Sequence, residues 1–452
     1  MRAVATLVCA LLKVGISIYN SYIMFTKKTV KDIEIKNKRV LLRADYNVPI
    51  NSDGTISDDY RIKQSLKTIK YLLKQGCKII ICSHLGRPRH FGDPQASLLP
   101  VAKRLANLLD QEVIFAEDCT SDQTLELANN LKFGDILMLQ NLRYYPEEEA
   151  NDAKFAKELA RLADVFVQDG FGVVHRAHAS TSAITKHLPS VAGLLLAEEV
   201  SALTAVIEKP ARPLMAVIGG AKISDKIGVL NRLIDIADFV VVGGAMSNTF
   251  LLAQGIKVGK SLADKSDIPL AKEIIARARA ESKKRHFVFY LPQDGVVSKK
   301  NDPTATTRIV DWSTRVIADI ESYPKTPKRS ASEVADNEMI LDVGPFSGAF
   351  IAGGIQLSNT VIWNGALGVT ETPALHGPVG PYAHGTDLLV DALLGDYGHR
   401  PFTVVGGGDT VGYIESRKLT DAFDHVSTGG GASLELMSGK KLPGIEALLA
   451  VS

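Results

Sequence analysis

Short apolar runs rich in β-branched residues alternate with amphipathic helical stretches from Lys38 onward. Such alternation predicts an α/β fold in which helices cover both faces of parallel sheets. The predicted strands of the first half are residues 40–44, 78–83, 113–115, 135–139 and 165–168. Those of the second half are residues 214–218, 239–242, 287–291, 339–342, 361–363, 402–405 and 425–427.

Helical periodicity is clearest in residues 62–75, 99–109 and 194–208, and Pro210 and Pro213 follow the last of these. The stretch 194–208 is the connection between the two sheet-forming halves. One helical connection of this kind favours two doubly wound, Rossmann-like lobes with a cleft between them. Ligands of such sheets bind outside the carboxyl ends of the strands, so the residues that stand there should indicate the function.

The expected domain boundaries follow this pattern. They are an N-terminal extension (1–23), an N-terminal domain (24–193), an interdomain helix (194–209), a C-terminal domain (210–428) and a C-terminal segment (429–452). In the extension, the apolar run 3–12 resembles a signal-peptide core, but Lys13 interrupts it and no convincing cleavage motif follows. We therefore favour Met24 as the true start, with a targeting segment as the alternative.

Composition and charge exclude several classes of partner. The chain has 452 residues, 46% of them hydrophobic and 23% charged, which suits a soluble protein with two full cores. A net charge of +2 gives no support for general binding to nucleic acid or to a membrane surface. The four cysteines show no CxxC or metal-ligand spacing, so we expect free thiols in a reducing compartment and a cytoplasmic location.

Cationic side chains follow the predicted strands of the first half. Arg43, His84, Arg143 and Arg176 stand at or after strand ends, and Arg61 opens the first long helix. Because parallel strands end at the same edge of a sheet, these side chains should lie together. Guanidinium groups bind phosphate or carboxylate through paired hydrogen bonds, which predicts a site for a small polyanion. For each arginine taken singly, the alternative is an ordinary surface ion pair.

Glycine stands at the strand ends of the second half instead. The turns 219–220, 243–244 and 406–408 each follow an apolar strand, and Lys222 and Lys226 come after the first. Main-chain N–H groups at such turns and at helix starts can hold a phosphate chain, which predicts a nucleotide site. Asp409, which follows the third turn, is a candidate magnesium ligand or helix N-cap. Neither a P-loop motif nor GxGxxG occurs, and glycines required only for close helix–strand contact are the alternative.

The chain resembles the phosphoglycerate kinase family in eight motifs that follow one another in the family's order. They are VLLRADYNVP (40–49), SHLGRP (83–88), NLR (141–143), HRAHAS (175–180), GGAKISDK (219–226), WNG (363–365), GGGDT (406–410) and STGGGAS (427–433). The resemblance runs from about Phe25 to the end. It implies reversible, in-line transfer of the acyl phosphate of 1,3-bisphosphoglycerate to ADP after lobe closure, giving 3-phosphoglycerate and ATP with Mg²⁺. It also implies a monomer whose last helix returns to the N-terminal lobe.

By position, the resemblance implies two sets of site residues. The phosphoglycerate site would comprise Asp45, Tyr46, Asn47, Arg61, His84, Leu85, Gly86, Arg87, Arg143 and Arg176. The nucleotide site would comprise Gly219, Lys222, Lys226, Gly243, Gly244, Asn364, Glu371, Gly407, Gly408, Asp409 and Thr410, with Asp409 at the metal. The family pattern is not fully kept, because Gln140 replaces an acid, Ala366 replaces proline and Thr370 replaces an aromatic residue. The glycine- and proline-rich stretch 375–382 is also unusual.

The implied reaction suggests which of these residues act in catalysis. The acceptor carboxylate of 3-phosphoglycerate is already ionised at neutral pH, so no general base is needed. The site must instead align the phosphoryl group and stabilise charge on its oxygens. We expect Arg61, Lys222 and the amides of Gly407 and Gly408 to do this. The alternative function is a catalytically silent, two-lobed nucleotide-binding sensor, and the absence of GxGxxG disfavours a dinucleotide-linked oxidoreductase.

Overall fold

The computed structural model describes residues 25–51, 53–312, 317–318 and 332–451, so the predicted extension 1–23 lies outside the described residues. The chain divides into two compact units. The first contains the described residues up to Ala205 and again from Lys440 onward, and the second contains Val206–Gly439. Within the described part of the chain, no helix has both the length and the apolar character that a membrane crossing requires.

The first unit is built around a parallel sheet. Its strands are β1 (Arg39–Arg43), β2 (Lys78–Cys82), β3 (Val113–Phe115), β4 (Ile136–Met138), β5 (Val165–Gln168) and β6 (Ser190–Ala192). They are arranged in the order β3-β4-β2-β1-β5-β6. The register pairs Arg43 with Cys82 on one side and with Gln168 on the other. The carboxyl ends of the three central strands therefore lie at one edge, as the alternation of apolar runs predicts.

Helices cover both faces of this sheet. They are α1 (Tyr60–Lys74), α2 (Leu99–Leu109), α3 (Asp122–Asn130), α4 (Pro146–Glu149), α5 (Ala153–Ala160) and α6 (Leu194–Glu208), the last of which crosses the boundary between the units. Successive residues of β1 point to opposite faces, so Leu42 belongs to one hydrophobic cluster and Leu41 to the other. Two separate cores, one on each face, explain why the strands read as continuous apolar runs.

Side-chain caps set several of these helix boundaries. Ser121 Oγ accepts the Thr124 N–H at 3.1 Å where α3 begins. Asp152 Oδ1 does the same for the N–H groups of Lys154 and Phe155 at the start of α5, at 2.9 and 2.8 Å. Asp110 ends α2 in the left-handed conformation, with φ 51°. Each cap satisfies main-chain groups that a helix end leaves without an internal partner.

The second unit contains a larger, mostly parallel sheet. Its strands are β7 (Leu214–Ile218), β8 (Phe239–Val242), β9 (Val288–Tyr290), β12 (Ile317–Ala318), β14 (Thr360–Asn364), β15 (Phe402–Gly406) and β16 (His425–Val426), and their order is β12-β9-β8-β7-β14-β15-β16. The strand β12 is antiparallel to its neighbour, whereas the other pairs are parallel. Asn364 at the end of β14 lies between Ile218 and Gly406, the last residues of the two adjacent strands. The glycine turns after β7 and β15 are thereby brought to one edge.

Residues 339–342 form a strand, but not in the parallel sheet that the alternating pattern predicts. The strands β10 (Asp294–Ser298), β11 (Thr307–Asp311) and β13 (Met339–Val343) make a separate three-stranded sheet in the order β11-β10-β13. Both pairings are antiparallel, and a bulge interrupts the register between Val296 and Val297. An apolar run specifies that a strand is buried but not the direction of its neighbour, which is why the sequence gives no sign of this second sheet.

The helices of the second unit follow the glycine turns and strand ends. They are α7 (Ile227–Ile236), α8 (Gly244–Ala253), α9 (Ile268–Ser282), α10 (Pro345–Gln356), α11 (His384–Leu394), α12 (Gly408–Ser416) and α13 (Gly431–Met437). Asp294 accepts the Phe346 and Ser347 N–H groups at 3.0 and 2.8 Å, so a strand residue from β10 caps α10. Gly395 ends α11 with φ 89°, which glycine adopts without strain.

The last described residues belong to the first unit. After the short helix α14 (Pro443–Glu446), Leu449 N donates to Ser190 O at 3.0 Å and Lys28 N donates to Leu449 O at 2.7 Å. At the start of that helix, Gly444 N donates to Val174 O at 2.9 Å. A Cβ on Gly444 would lie 3.0 Å from the Val174 main chain, so the close approach suits glycine at this position.

Candidate functional site

Arg61 is held at the start of α1 by acceptors from the loop after β1. Its Nη1 donates to Asp45 Oδ2 at 3.1 Å and to the Asn47 carbonyl oxygen at 3.2 Å. Asn47 Oδ1 accepts the Gly86 N–H at 2.8 Å, which joins this loop to the one after β2. Burial opposes ionisation of Asp45, but Arg61 and Arg43 outweigh it and hold the pKa of this carboxyl below its ordinary value. The guanidinium of Arg61 is therefore fixed by an ionised partner.

Arg143 lies beside the same loops. Its Nη1 donates to the Gly86 carbonyl oxygen at 2.7 Å, and its Nε is 3.1 Å from Glu149 Oε1. Asn141 Oδ1 accepts the Arg143 main-chain N–H at 3.0 Å and so fixes the short turn that carries the arginine. Burial, reinforced by nearby cations that include Arg176, lowers the pKa of Arg143. Positive charge concentrated in this way is what a polyanion site requires.

Beneath these residues, Arg43 is part of a fully buried polar network. Its Nε donates to Ser180 Oγ at 2.7 Å, and Ser180 Oγ donates to Glu148 Oε1 at 2.5 Å. Glu148 also accepts the Ser180 N–H at 2.9 Å and lies 3.9 Å from both Arg43 Nη2 and His178 Nδ1. Burial raises the pKa of Glu148, while Arg43 and Ser180 favour its ionised form. The network supplies the buried charge of Arg43 with the partners it needs.

His84 is a neutral member of this group of residues. Burial, reinforced by Arg43, lowers the pKa of His84 well below its ordinary value despite the nearby Asp45. Its Nδ1 lies 3.4 Å from Arg43 Nη2 and 4.0 Å from Asp45 Oδ1. At neutral pH the imidazole can therefore exchange hydrogen bonds but adds no positive charge. We refer below to Arg43, Arg61, Arg87, Arg143 and Arg176 as the arginine cluster.

Two residues of the expected phosphoglycerate set are packing residues. Tyr46 is fully buried, and its hydroxyl lies 2.8 Å from Ser65 Oγ, so the side chain points into the core. Leu85 is also buried, and its main-chain N–H and C=O both bond to the side chain of Asn141. By contrast, Arg87 and Arg176 are exposed. The motif match does not separate side chains that face solvent from those that support the loops.

In the second unit, glycine allows main-chain segments to meet at the ends of β7 and β14. A Cβ on Gly219 would lie 2.1 Å from the Ala366 carbonyl oxygen, and Gly365 has φ 102°. Gly407, with φ 95°, lies against Asn364, whose side-chain atoms are 3.2 Å from the position of a Cβ. These positions need glycine both for space and for left-handed backbone. After Gly407, the first turn of α12 presents main-chain N–H groups that have no side-chain cap.

Lys226 crosses this junction. Its Nζ donates to Gly219 O at 2.5 Å, to Asn364 O at 3.1 Å and to Asn364 Oδ1 at 2.6 Å. Burial lowers the pKa of Lys226 to about 8, although Asp409 and Asp225 act in the opposite direction. The Nδ2 of Asn364 is buried without a hydrogen-bond partner. A buried donor of this kind is costly unless a ligand satisfies it, which marks the junction as a binding position.

A cavity of about 600 Å³ opens at this junction, and we call it the glycine-rich cavity. This volume suits a nucleotide-sized ligand. Of the expected nucleotide residues, the following line the cavity: Lys226, Gly244, Asn364, Glu371, Gly407, Gly408, Asp409 and Thr410. Three others do not line it: Gly219, Lys222 and Gly243. Lys222 Nζ lies 3.7 Å from Asp264 Oδ2 instead, and a Cβ on Gly243 would lie 2.3 Å from the Leu367 side chain.

The cavity also contains residues that the sequence motifs did not identify. Asp342 is buried there and accepts the N–H groups of Val343 and Gly385 at 2.8 and 2.9 Å. Burial raises the pKa of Asp342 to about 7. Asn301 lines the cavity from the β10–β11 turn. Neither residue lies in a motif of the resemblance: Asp342 is in β13, which pairs with β10, and Asn301 is in the turn after β10.

Asp409 is the carboxylate that fits a magnesium–nucleotide complex. It lies in the first turn of α12 and lines the cavity. Among the residues that the structure describes, no group of three or more His, Cys, Asp or Glu side chains could hold a metal ion alone. Mg²⁺ is commonly bound by one or two carboxylates together with substrate phosphates and water. A single carboxylate is therefore compatible with a metal that arrives with the nucleotide.

Known proteins match almost the whole chain. The family model described as phosphoglycerate kinase matches residues 30–440. A phosphoglycerate kinase from Koribacter versatilis is 43% identical over 430 residues, which is 94% of this chain and 99% of that protein. The cytosolic phosphoglycerate kinase of Triticum aestivum is 42% identical over 429 residues, with 94% and 99% of the two chains covered.

The solved structures agree with the sequences. The phosphoglycerate kinase structure from Coxiella burnetii matches with a TM-score of 0.74 and 33% identity, covering 93% of this chain and 98% of that one. This likeness confirms the predicted α/β fold with two units built on parallel sheets. The chain therefore belongs to the phosphoglycerate kinase family.

Proposed function

We propose that this chain catalyses the reversible transfer of the acyl phosphate of 1,3-bisphosphoglycerate to ADP, giving 3-phosphoglycerate and ATP. The observation that carries this proposal is the chemistry of the arginine cluster. Arg43, Arg61 and Arg143 act on a neutral His84, and an ionised Asp45 is already engaged by Arg61. A site of this kind suits an acceptor that is ionised in solution and needs no general base.

Within the arginine cluster we assign different roles to different members. Arg61 stabilises charge on the oxygens of the transferred phosphoryl group, held in position by Asp45 and Asn47. Arg143, Arg176 and Arg87, together with His84, bind the remaining phosphate and the carboxylate of the substrate. Tyr46 and Leu85 support the loops through packing rather than by contacting the substrate. Arg43 acts from below through the network that contains Glu148.

On the nucleotide side, main chain and lysine hold the phosphates. The N–H groups of Gly407 and Gly408 at the start of α12 suit an anion, as does the ammonium of Lys226. The unpartnered Nδ2 of Asn364 provides a further donor. Lys222 takes a catalytic role only if it leaves Asp264, which is an exposed and easily exchanged contact. Gly219 and Gly243 provide space for the main chain around the cavity.

A magnesium ion bound to the nucleotide phosphates would be held by Asp409. The ion would neutralise phosphate charge and so favour transfer between two anionic substrates. The same carboxylate influences the charge state of Lys226, so metal and lysine would share the phosphate chain between them. A cytoplasmic location and a monomeric state remain our proposals, as do the domain boundaries at residues 193, 209 and 428.

A coupled assay for ATP-dependent conversion of 3-phosphoglycerate tests this function directly. We expect turnover that requires magnesium and is absent without 3-phosphoglycerate. A thermal-shift comparison gives a first check, since ADP should stabilise the protein and NAD should not. Retained ADP binding without turnover would favour the silent nucleotide sensor. Stabilisation by NAD alone would contradict the proposal altogether.

A further inference from the structure

One wall of the glycine-rich cavity is held by contacts between two loops. Thr372 Oγ1 donates to Oδ1 of Asn301 at 2.6 Å. The Tyr382 hydroxyl lies 3.0 Å from the Asp302 carbonyl oxygen and 3.2 Å from that of Lys300, on either side of Asn301 in the chain. Tyr382 is fully buried and Thr372 is 7% exposed. The turn that carries Asn301 is therefore fixed by two buried side chains from the segment 372–382.

The stretch between Thr372 and Tyr382 is itself tightly folded. A Cβ on Gly380 would lie 2.1 Å from the Thr372 carbonyl oxygen, so the chain returns to its starting point after eight residues. This closure places Thr372 and Tyr382 next to the same turn between β10 and β11. The contacts of this loop therefore determine how the Asn301 amide is presented to the cavity.

The segment 364–372 runs along the cavity from a phosphate end to this wall. Its first residue, Asn364, accepts from Lys226 Nζ at 2.6 Å and lies beside Gly407. Its last residue, Thr372, holds Asn301. Residues between these two ends, among them Gly365, Leu367 and Val369, also line the cavity, so the segment borders one continuous space from Asn364 to Asn301. Phosphates bound near Lys226 would therefore leave the base to lie toward Asn301.

The rest of the cavity lining agrees with this orientation. Leu341 accepts the Val369 N–H at 2.9 Å on its carbonyl oxygen, midway along the segment, and its side chain lines the cavity with Met339 and Trp312. Flat apolar and aromatic surfaces suit a purine ring, whereas they would not stabilise phosphate. Asn301 is then a polar group presented beside these apolar residues.

We infer that Asn301, oriented by Thr372, contacts the nucleobase and sets the choice between adenine and guanine nucleotides. This inference rests on the proposed function, because it requires a nucleotide in the glycine-rich cavity. The Thr372 hydroxyl engages Oδ1, so the amide NH₂ is the group left to face the base as a donor. Adenine and guanine share the N7 and N3 acceptors but differ at position 6, where adenine has an NH₂ donor and guanine an oxygen acceptor, so a fixed donor facing that position distinguishes them. Thr372 is a positioning residue, since it acts through Asn301.

The test compares ATP with GTP in the wild type and in two variants of Asn301. Asn301→Asp keeps the shape of the side chain and replaces the NH₂ donor with an acceptor oxygen. We expect the ratio of kcat/KM for ATP to that for GTP to change by about fivefold or more, because one base loses a partner that the other gains. A shift in either sense supports the inference, and its sign identifies the edge of the base that is contacted. Asn301→Ala should change the ratio by about two- to tenfold.

Thr372→Val and Tyr382→Phe separate orientation from loop stability. Thr372→Val keeps the shape but removes the hydroxyl, so the amide can turn and the ratio should move in the same sense as in Asn301→Asp. Tyr382→Phe loosens the loop without touching the amide, and should affect ATP and GTP equally. The KM for 3-phosphoglycerate should stay unchanged in every variant.

Calorimetric binding of ADP and GDP gives the same comparison without turnover. An unchanged preference in both Asn301 variants, or an equal loss for the two nucleotides, would overturn the inference even in a fully active enzyme. A wild type that binds nucleotide but does not phosphorylate 3-phosphoglycerate would contradict the proposed function instead. In that case the affinities of the Asn301 variants for ADP and GDP would still show whether Asn301 contacts the base.

Discussion

Both candidate sites lie at the carboxyl edge of a parallel sheet, but one is built from charged side chains and the other from main chain. The arginine cluster uses long charged side chains at the end of β1, at the start of α1 and after β2, β4 and β5, and its geometry depends on buried acids such as Glu148. The glycine-rich cavity uses main chain, and its geometry depends on the absence of side chains at Gly219, Gly365 and Gly407. The arginine cluster is held in place by charged partners, whereas the glycine-rich cavity requires positions that have no side chain.

This difference predicts how each site fails. Removing a charge partner should damage the first site, because a buried cation left alone is costly. Adding a single methyl group should damage the second, because carbonyl oxygens and side chains already occupy the space. Each of the following predictions tests one side of this contrast against a matched control.

The largest expected effect is on stability, in Glu148→Ala. This change leaves Arg43 buried without its acid, and it also removes the acceptor of Ser180. Loss of one partner from a buried pair costs about 3–5 kcal/mol. Chemical denaturation should show this loss. The adjacent Glu149 is 57% exposed in its side chain, so Glu149→Ala should cost under about 1 kcal/mol. Equal effects of the two substitutions would show that the buried network does not stabilise the first unit.

The next effect is on turnover, in Arg61→Ala. If Arg61 stabilises charge in the transition state, kcat should fall about a hundredfold or more. Arg104→Ala provides the control, because Arg104 also forms an ion pair near α1, with Asp59, and its side chain is 40% exposed. The control should keep nearly full activity. Near-normal turnover in Arg61→Ala would remove that residue from the catalytic role.

A smaller effect is expected when a methyl group is added to the second site. In Gly219→Ala the new Cβ would meet the Ala366 carbonyl oxygen at 2.1 Å, so the junction of β7 and β14 must shift. Overpacking of this kind costs about 1–3 kcal/mol and should weaken ADP binding as well. Gly353→Ala in α10 meets nothing within 4 Å, and should be neutral or stabilising by up to about 1 kcal/mol. Thermal unfolding with and without ADP measures both variants.

The smallest effect concerns pH. Lys226 has a pKa lowered to about 8 by burial, so it is partly neutral in the free protein near that pH. Bound phosphate favours the protonated lysine, so ADP binding should take up protons near pH 8 and weaken as pH rises further. The loss should be at most about tenfold per pH unit. Calorimetry in buffers of different ionisation enthalpy detects the proton uptake. Lys226→Arg should abolish this uptake, and uptake that persists there would assign it to another group.

Much of the fold could be predicted because both parallel sheets are covered on two faces. Runs such as residues 214–218 and 239–242 have no polar face, and the structure forms strands with those bounds. The direction of β13 could not be predicted, because its apolar residues fit a parallel or an antiparallel neighbour equally well. The strand β6 was not predicted, because its sequence Ser-Val-Ala contains a single β-branched residue and no continuous apolar run.

The sequence also could not predict what individual residues of the candidate sites contact. The motifs could not show that Tyr46 points into the core or that Lys222 lies beside Asp264. Glu148 belongs to a run of three acids that resembles an exposed helix start, and only the register of α4 buries the middle one. Asn301 reaches its cavity through strand pairing between distant segments, which local sequence patterns do not encode.

The most direct measurement is calorimetric binding of 3-phosphoglycerate and of ADP to the wild type and to two variants, Arg143→Ala and Gly407→Ala. Arg143→Ala should weaken 3-phosphoglycerate by about tenfold or more and leave ADP nearly unchanged. Gly407→Ala, at a position with φ 95°, should weaken ADP and leave 3-phosphoglycerate nearly unchanged. If Arg143→Ala weakened both ligands equally, or if Gly407→Ala left ADP binding intact, the division of labour between charged side chains and bare main chain would be contradicted.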